Sequence, residues 1–142
     1  MRAILLLADA AQVADGKLYL LGAGWSVTGP GPTPSAVAIK IEVPWDQTNV
    51  AHHFELELVD EDGQPVTMPA ADGAAQPVQT AGSFEVGRPA GLRPGTPIDV
   101  PLAINIGPLA LPPDQRFSWR LTIDGQSHED WQANFSTRPM PA

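Results

Sequence analysis

The sequence predicts an all-β domain: an antiparallel β-sandwich of immunoglobulin-like or related topology, with about eight strands. Three observations carry that expectation. Apolar and polar residues alternate with a period of two in stretch after stretch, which puts one face of each strand in a core and the other in water. Pro and Gly, 16 and 13 of the 142 residues, cluster between those stretches and cut them into short pieces. No stretch keeps the 3.6-residue period of an amphipathic helix. The length suits one domain, residues 1–142, ending in a short Pro-bearing tail at 138–142. A closed barrel is the other way to join the same strands.

The first thirty residues organise the prediction. Two apolar runs, Ala3–Ala8 and Leu18–Val27, flank Asp15-Gly16. Asp-Gly between apolar runs signals a hairpin, because the turn needs positive φ and glycine has no Cβ to clash. These runs are expected to form a central hairpin on which later strands stack. Gly29–Pro34 holds three prolines, which cannot donate to a ladder, and reads as a loop. Over Ser35–Pro44, Val37, Ile39, Ile41 and Val43 alternate with Ala38, Lys40 and Glu42. Pro44–Asn49 turns the chain. In His53–Asp60, Phe54, Leu56 and Leu58 oppose Glu55 and Glu57, and Asp60–Gly63 closes the strand with a tight turn in which Asp62-Gly63, like Asp15-Gly16, reads as a hairpin turn.

Gln64–Val78 is weakly patterned and reads as a short return strand near Pro65–Met68 followed by a loop. Gln79–Val86 sets Thr80, Gly82, Phe84 and Val86 against Ala81, Ser83 and Glu85. Gly87–Pro97 is the longest irregular segment. Ile98–Ile106 places five apolar residues on one face. Phe117, Trp119, Leu121 and Ile123 alternate with Ser118, Arg120 and Thr122, and Asp124-Gly125 turns the chain into His128–Thr137, where Trp131, Ala133 and Phe135 share a face. Sheets with one apolar and one charged face must meet in pairs.

Composition narrows the partners. The net charge of −8 repels phosphate backbones and anionic membranes, so neither nucleic acid nor a membrane is expected as a partner. With no cysteine there is no disulfide, thiolate or Cys-ligated metal. No run approaches the roughly 20 apolar residues of a membrane-spanning helix. Ala3–Ala8 is shorter than the apolar region of a signal peptide and is cut off by Asp9, so it reads as a strand. A cytoplasmic location needs no further assumption.

Two segments carry a family resemblance. Ile4–Asp9 followed by Asp15-Gly16-Lys17-Leu18-Tyr19-Leu20-Leu21-Gly22, and the later Arg116-Phe117-Ser118-Trp119-Arg120-Leu121-Thr122-Ile123-Asp124-Gly125, resemble the two hairpins of a family of uncharacterised small bacterial β-sandwich proteins, common in actinobacteria. The likeness runs from about Met1 to Phe135. Its motifs are those of turns and core, so it implies a shared fold and a domain of unknown function, and it transfers no active-site residue.

The residues themselves offer little chemistry. His52 and His53 are strand neighbours and point to opposite faces, so they cannot chelate one ion. His128-Glu129-Asp130 pairs a histidine with carboxylates, as a general base would need; a nucleophile elbow and a His-Glu-x-x-His motif are both absent. Asp60-Glu61-Asp62 lacks the spacing of a calcium loop. Gly22-Ala23-Gly24 has no following Lys-Ser/Thr or helix and is no phosphate loop. No catalytic, cofactor-binding or metal-binding residue is assigned, and no cofactor is expected. What remains is an interface. Trp45, after Pro44, is a rim aromatic of the kind that anchors contacts, and Arg88 and Arg93 make a positive spot on an acidic chain. Trp119 and Trp131 belong to the core. The expectation is a non-enzymatic domain that binds a protein or itself. The alternative is a small-molecule or carbohydrate-binding module in which Trp45 is a stacking platform. An enzyme would require His128 beside a carboxylate in a cleft.

Overall fold

A computed structural model describes residues 1–142. Twelve strands follow one another: β1 (Arg2–Ala8), β2 (Ala10–Ala14), β3 (Lys17–Leu21), β4 (Val27–Thr28), β5 (Ser35–Val43), β6 (His52–Asp60), β7 (Thr67–Pro69), β8 (Ala75–Pro77), β9 (Gln79–Phe84), β10 (Ile98–Ile106), β11 (Arg116–Ile123) and β12 (Gln126–Thr137). The only helical element is a 3₁₀ turn at Trp45–Gln47. No helix is long and apolar enough to cross a membrane.

The strands form a three-stranded sheet, β1-β5-β10, a five-stranded sheet, β4-β12-β11-β6-β9, and two separate hairpins, β2-β3 and β7-β8. The inner faces of the two larger sheets share one core. From the first come Leu5, Leu7, Val37, Ile39 and Ile41; from the second come Leu56, Leu58, Trp119, Leu121 and Phe135. Truncating such a side chain to alanine typically costs about 2–5 kcal/mol. Alternation chose these faces correctly. In β5, Val37, Ile39, Ile41 and Val43 are fully buried, while Lys40 and Glu42 reach the outer surface.

The first hairpin departs from expectation. The Asp15-Gly16 turn forms, with both φ values positive (51° and 69°), but it joins β2 to β3 and leaves β1 out. β1 pairs instead with β5, from Arg2↔Glu42 to Ala8↔Ala36. The expected strand Leu18–Val27 breaks at Gly22 and Gly24, whose φ values of 57° and 89° no extended strand accepts. The centre of the small sheet is β5. The β2-β3 hairpin lies on its outer face, over a row of small residues. Ala8, Ala36 and Ala38 are buried there with Ala11 of the hairpin, and Leu18 and Leu20 pack against them.

Three further differences have local causes. The count of twelve rather than about eight comes from this hairpin, from two-residue β4 and from β7-β8, which occupies the weakly patterned 64–78 segment. Pairing is antiparallel except where β4 runs parallel to β12, at Ser136↔Val27 and Thr137↔Thr28. Asp62-Gly63 is not a two-residue turn: the Asp60 carboxylate accepts from the N–H groups of Asp62 and Gln64, both at 2.9 Å, and closes a wider loop. That spends the carboxylate on the turn. The Asp124-Gly125 turn has both φ values positive, 51° and 76°, and joins β11 to β12 as expected.

Candidate functional site

The start of β1, the end of β5, the starts of β6 and β10 and the β11-β12 turn lie at one end of the molecule. Pro44 stops β5, because it has no N–H to extend the ladder. The chain then makes the 3₁₀ turn, and two side chains lock it. Thr48, buried, donates its hydroxyl to the Trp45 carbonyl at 2.7 Å. Arg88, from the irregular Gly87–Pro97 segment, donates Nε–H to the Thr48 hydroxyl at 2.8 Å and a terminal N–H to the same Trp45 carbonyl at 2.6 Å. Its guanidinium carbon sits 4.3 Å from the centroid of the Trp45 ring. A cation over an indole face is worth about 0.5–1 kcal/mol at an exposed site. Here it also fixes the orientation of an aromatic ring on a loop.

The structure therefore brings Trp45 and Arg88 together and leaves Arg93 out. Arg93 contributes its carbonyl, which accepts from the N–H and the hydroxyl of Thr96; its guanidinium takes no part in the Trp45 contact. Beside Trp45 runs an open groove of about 480 Å³, lined by Met1, Arg2, Glu42, Pro44, Asp46 and Pro97 among others. It holds an aromatic ring and two carboxylates, and Glu42 is paired with Arg2 at 3.5 Å.

Behind the rim stands a histidine. His52 is 6% exposed and His53 is exposed, on the opposite faces expected of strand neighbours. The His52 ring stacks on Phe84 at 5.3 Å. Its Nε2 is 2.8 Å from the Gln47 carbonyl and its Nδ1 is 2.6 Å from the Asp124 carboxylate. Both neighbours are acceptors, so the pocket favours the imidazolium, in which both ring nitrogens donate. Burial alone pulls the His52 pKa down, but the hydrogen bonds to Asp124 and Gln47 and the carboxylate charge together raise it above the ordinary 6.5. The same bond from His52, with one from the His53 N–H, holds Asp124 below the ordinary 3.8. With both nitrogens engaged, His52 has no free atom to offer a substrate or a metal. It ties the 3₁₀ turn to the Asp124-Gly125 turn.

His128 takes no part in these bonds and lines a second open groove with Met1, Ile4, Asp130 and Trp131. Its Nδ1 accepts from the Asp130 N–H at 3.1 Å and is 3.6 Å from the Asp130 carboxylate. The ring is more than half exposed. Nowhere do three His, Asp or Glu side chains converge as a metal site would need. Trp119 and Trp131 are in the core as expected.

These features define a class: a small all-β domain with a braced aromatic rim and no cluster of metal-ligating side chains. A family model described as "Family of unknown function (DUF6941)" matches residues 3–134, and the chain belongs to that family. No curated protein matches the chain, and no solved structure does.

Proposed function

We propose that this is a non-enzymatic domain that works by binding, through the rim built on Trp45, and that its partner is a protein, foremost a second copy of itself. The observation that carries this reading is the bracing of Trp45 by Arg88. Interfaces draw most of their energy from a few aromatic and Arg anchors. An anchor already held in place loses little conformational freedom on binding. Arg88 and Arg93 add positive charge to a chain of net charge −8, which favours an acidic counterpart. In the same reading the two facing sheets are an immunoglobulin-like sandwich, and the protein is a bacterial, cytoplasmic one. Light scattering over a range of concentrations tests the rim. Wild type is expected to exceed the mass of one chain and Trp45→Ala to fall toward it, with unchanged circular dichroism. An equal mass for both removes the rim from the interface.

A second reading rests on the groove, which sets Trp45 beside Glu42 and Asp46. Aromatic faces with flanking carboxylates suit carbohydrates. A saturable change in tryptophan fluorescence with an oligosaccharide series, absent in Trp45→Ala, would support this reading. A flat response across the series would exclude it.

A further inference from the structure

We infer that the second copy docks on the outer face of β1-β5-β10, through the part that the β2-β3 hairpin leaves open. This deepens the self-association reading above and rests on it. The register lays out this face in rows. Arg2, Glu42 and Asp99 form the first, Ile4, Lys40 and Pro101 the second, and Leu6, Ala38 and Ala103 the third. The hairpin covers the alanine end. At the open end Ile4 is 51% and Leu6 43% exposed. These are large apolar side chains in adjacent rows of one strand, as at a buried contact rather than scattered surface residues.

Charge says what covers them. The open end carries Arg2 and Lys40 against Glu42 and Asp99, linked as Arg2–Glu42 at 3.5 Å, Lys40–Glu42 at 3.5 Å and Lys40–Asp99 at 3.6 Å. The face is thus neutral on a chain of net charge −8, so two acidic copies can meet there without repulsion. It is also complementary to itself. Lys40 and Glu42 are successive outward residues of the central strand. A two-fold axis crossing the strands between their rows sets Lys40 of each copy over Glu42 of the other, the reciprocal pattern of an isologous dimer. The same axis carries Leu6 past the end of β5, toward the partner's Trp45 rim. The groove beside Trp45 already includes Arg2 and Glu42, so rim and face are one continuous surface.

The test is charge reversal and its repair, read by sedimentation velocity over a concentration range. Lys40→Glu sets two carboxylates across the axis, twice by symmetry, and Glu42→Lys does the same with two ammonium groups. Each is expected to weaken the dimer by about tenfold or more. The double variant K40E/E42K restores opposite charges across the axis and is expected to recover the dimer, although within one chain it places like charges side by side. Damage to folding alone would leave the double variant no better than the singles. Ile4→Gln, which changes no charge, is expected to weaken the dimer as well. A dimer indifferent to K40E but lost in Trp45→Ala would overturn this face and keep the rim. A dimer broken by K40E, repaired by E42K and indifferent to Trp45→Ala would keep the face and remove the rim. A wild-type monomer at every concentration would overturn both.

Discussion

The Asp124 carboxylate and the His52 imidazole meet 2.6 Å apart across 72 residues of chain, and one carboxylate does two jobs. One oxygen takes the His52 Nδ1–H; the other takes the backbone N–H of His53 at 2.9 Å. The contact joins the β11-β12 turn to the first residues of β6. Through the bond from Nε2 to the Gln47 carbonyl, it reaches the turn that presents Trp45. The rim is thus supported from behind by an ion pair and from the side by Arg88.

This pair makes stability depend on pH in two directions. The folded pKa of His52 lies above its ordinary 6.5, so its contribution is fully present below that value and is lost as pH rises through the folded pKa. The folded pKa of Asp124 lies below 3.8, so its contribution is present above that value and is lost as pH falls through the folded pKa. Urea midpoints are expected to peak between these limits and to decline on the alkaline side as His52 loses its proton. Asp124→Asn keeps the left-handed turn, which Asn tolerates, and removes the charge. It is expected to cost about 1 kcal/mol near pH 6 and much less near pH 9, and to lower the His52 pKa. Ring-proton NMR across the titration reads this directly. A His52 that titrates below 6.5 in wild type would contradict the paired imidazolium.

Arg88→Ala is expected to leave the fold intact while freeing the rim. The guanidinium lies over Trp45 and bonds to the turn beneath it, and its loss costs about 0.5–1 kcal/mol in cation–π terms. Tryptophan emission should shift to the red as Trp45 gains water. Arg88→Lys should not restore it, because an ammonium cannot bond the Trp45 carbonyl and the Thr48 hydroxyl while lying flat on the ring. Equal spectra for wild type and both variants would show that Arg88 does not hold the ring.

Gly82→Ala tests the packing of the edge strand β9. Phe54 lies directly across the ladder from Gly82, and a Cβ there would stand 2.9 Å from the Phe54 ring. The ring has little room to give way, since Phe54 is buried and packs against Phe84, the next residue on that face of β9, with centroids 6.4 Å apart. Overpacking of this kind costs about 1–3 kcal/mol. Adding Phe54→Leu to Gly82→Ala should recover part of that loss; if it adds to the loss instead, the clash is not the cause.

Most of the core could be read from period-two patterning because each inner face is a row of large apolar residues. Val37, Ile39 and Ile41 in β5, and Leu56 and Leu58 in β6, needed no further information. The first hairpin misled for a physical reason. Ala10–Ala14 buries only Ala11 and has little alternation to show, so patterning assigns the Asp15-Gly16 turn to the stronger run, Ala3–Ala8. The rim was half visible. Trp45 after a proline and Arg88 in a Gly/Pro-rich loop each stood out, but their contact spans 43 residues, and nothing local encodes it. His52 and Asp124 were hidden in the same way, since their meeting depends on β6 and β11 being neighbours. Strand order is set by the assembled core and not by any one strand.

Asn105 tests the attachment of the β2-β3 hairpin to the rest of the molecule. It lies on the outward face of β10, and its amide meets the backbone of Ala11 on both sides: Nδ2–H donates to the Ala11 carbonyl at 2.9 Å, and Oδ1 accepts the Ala11 N–H at 3.2 Å. The side chain thereby acts as one more peptide group and satisfies a strand that has only β3 as ladder partner. Asn105→Asp keeps the shape but turns the donor into an oxygen facing a carbonyl oxygen, so one attraction becomes a repulsion. The expected cost is about 1–2 kcal/mol, confined to the hairpin. Hydrogen exchange should quicken at Ala11 and across β2-β3 while Ile39, Leu56 and Leu121 in the core stay protected. Asn105→Ala, which loses both bonds without adding a repulsion, should fall between wild type and Asn105→Asp. If Asn105→Asp instead loosens core and hairpin equally, the hairpin is part of the cooperative unit and Asn105 is not its separate latch.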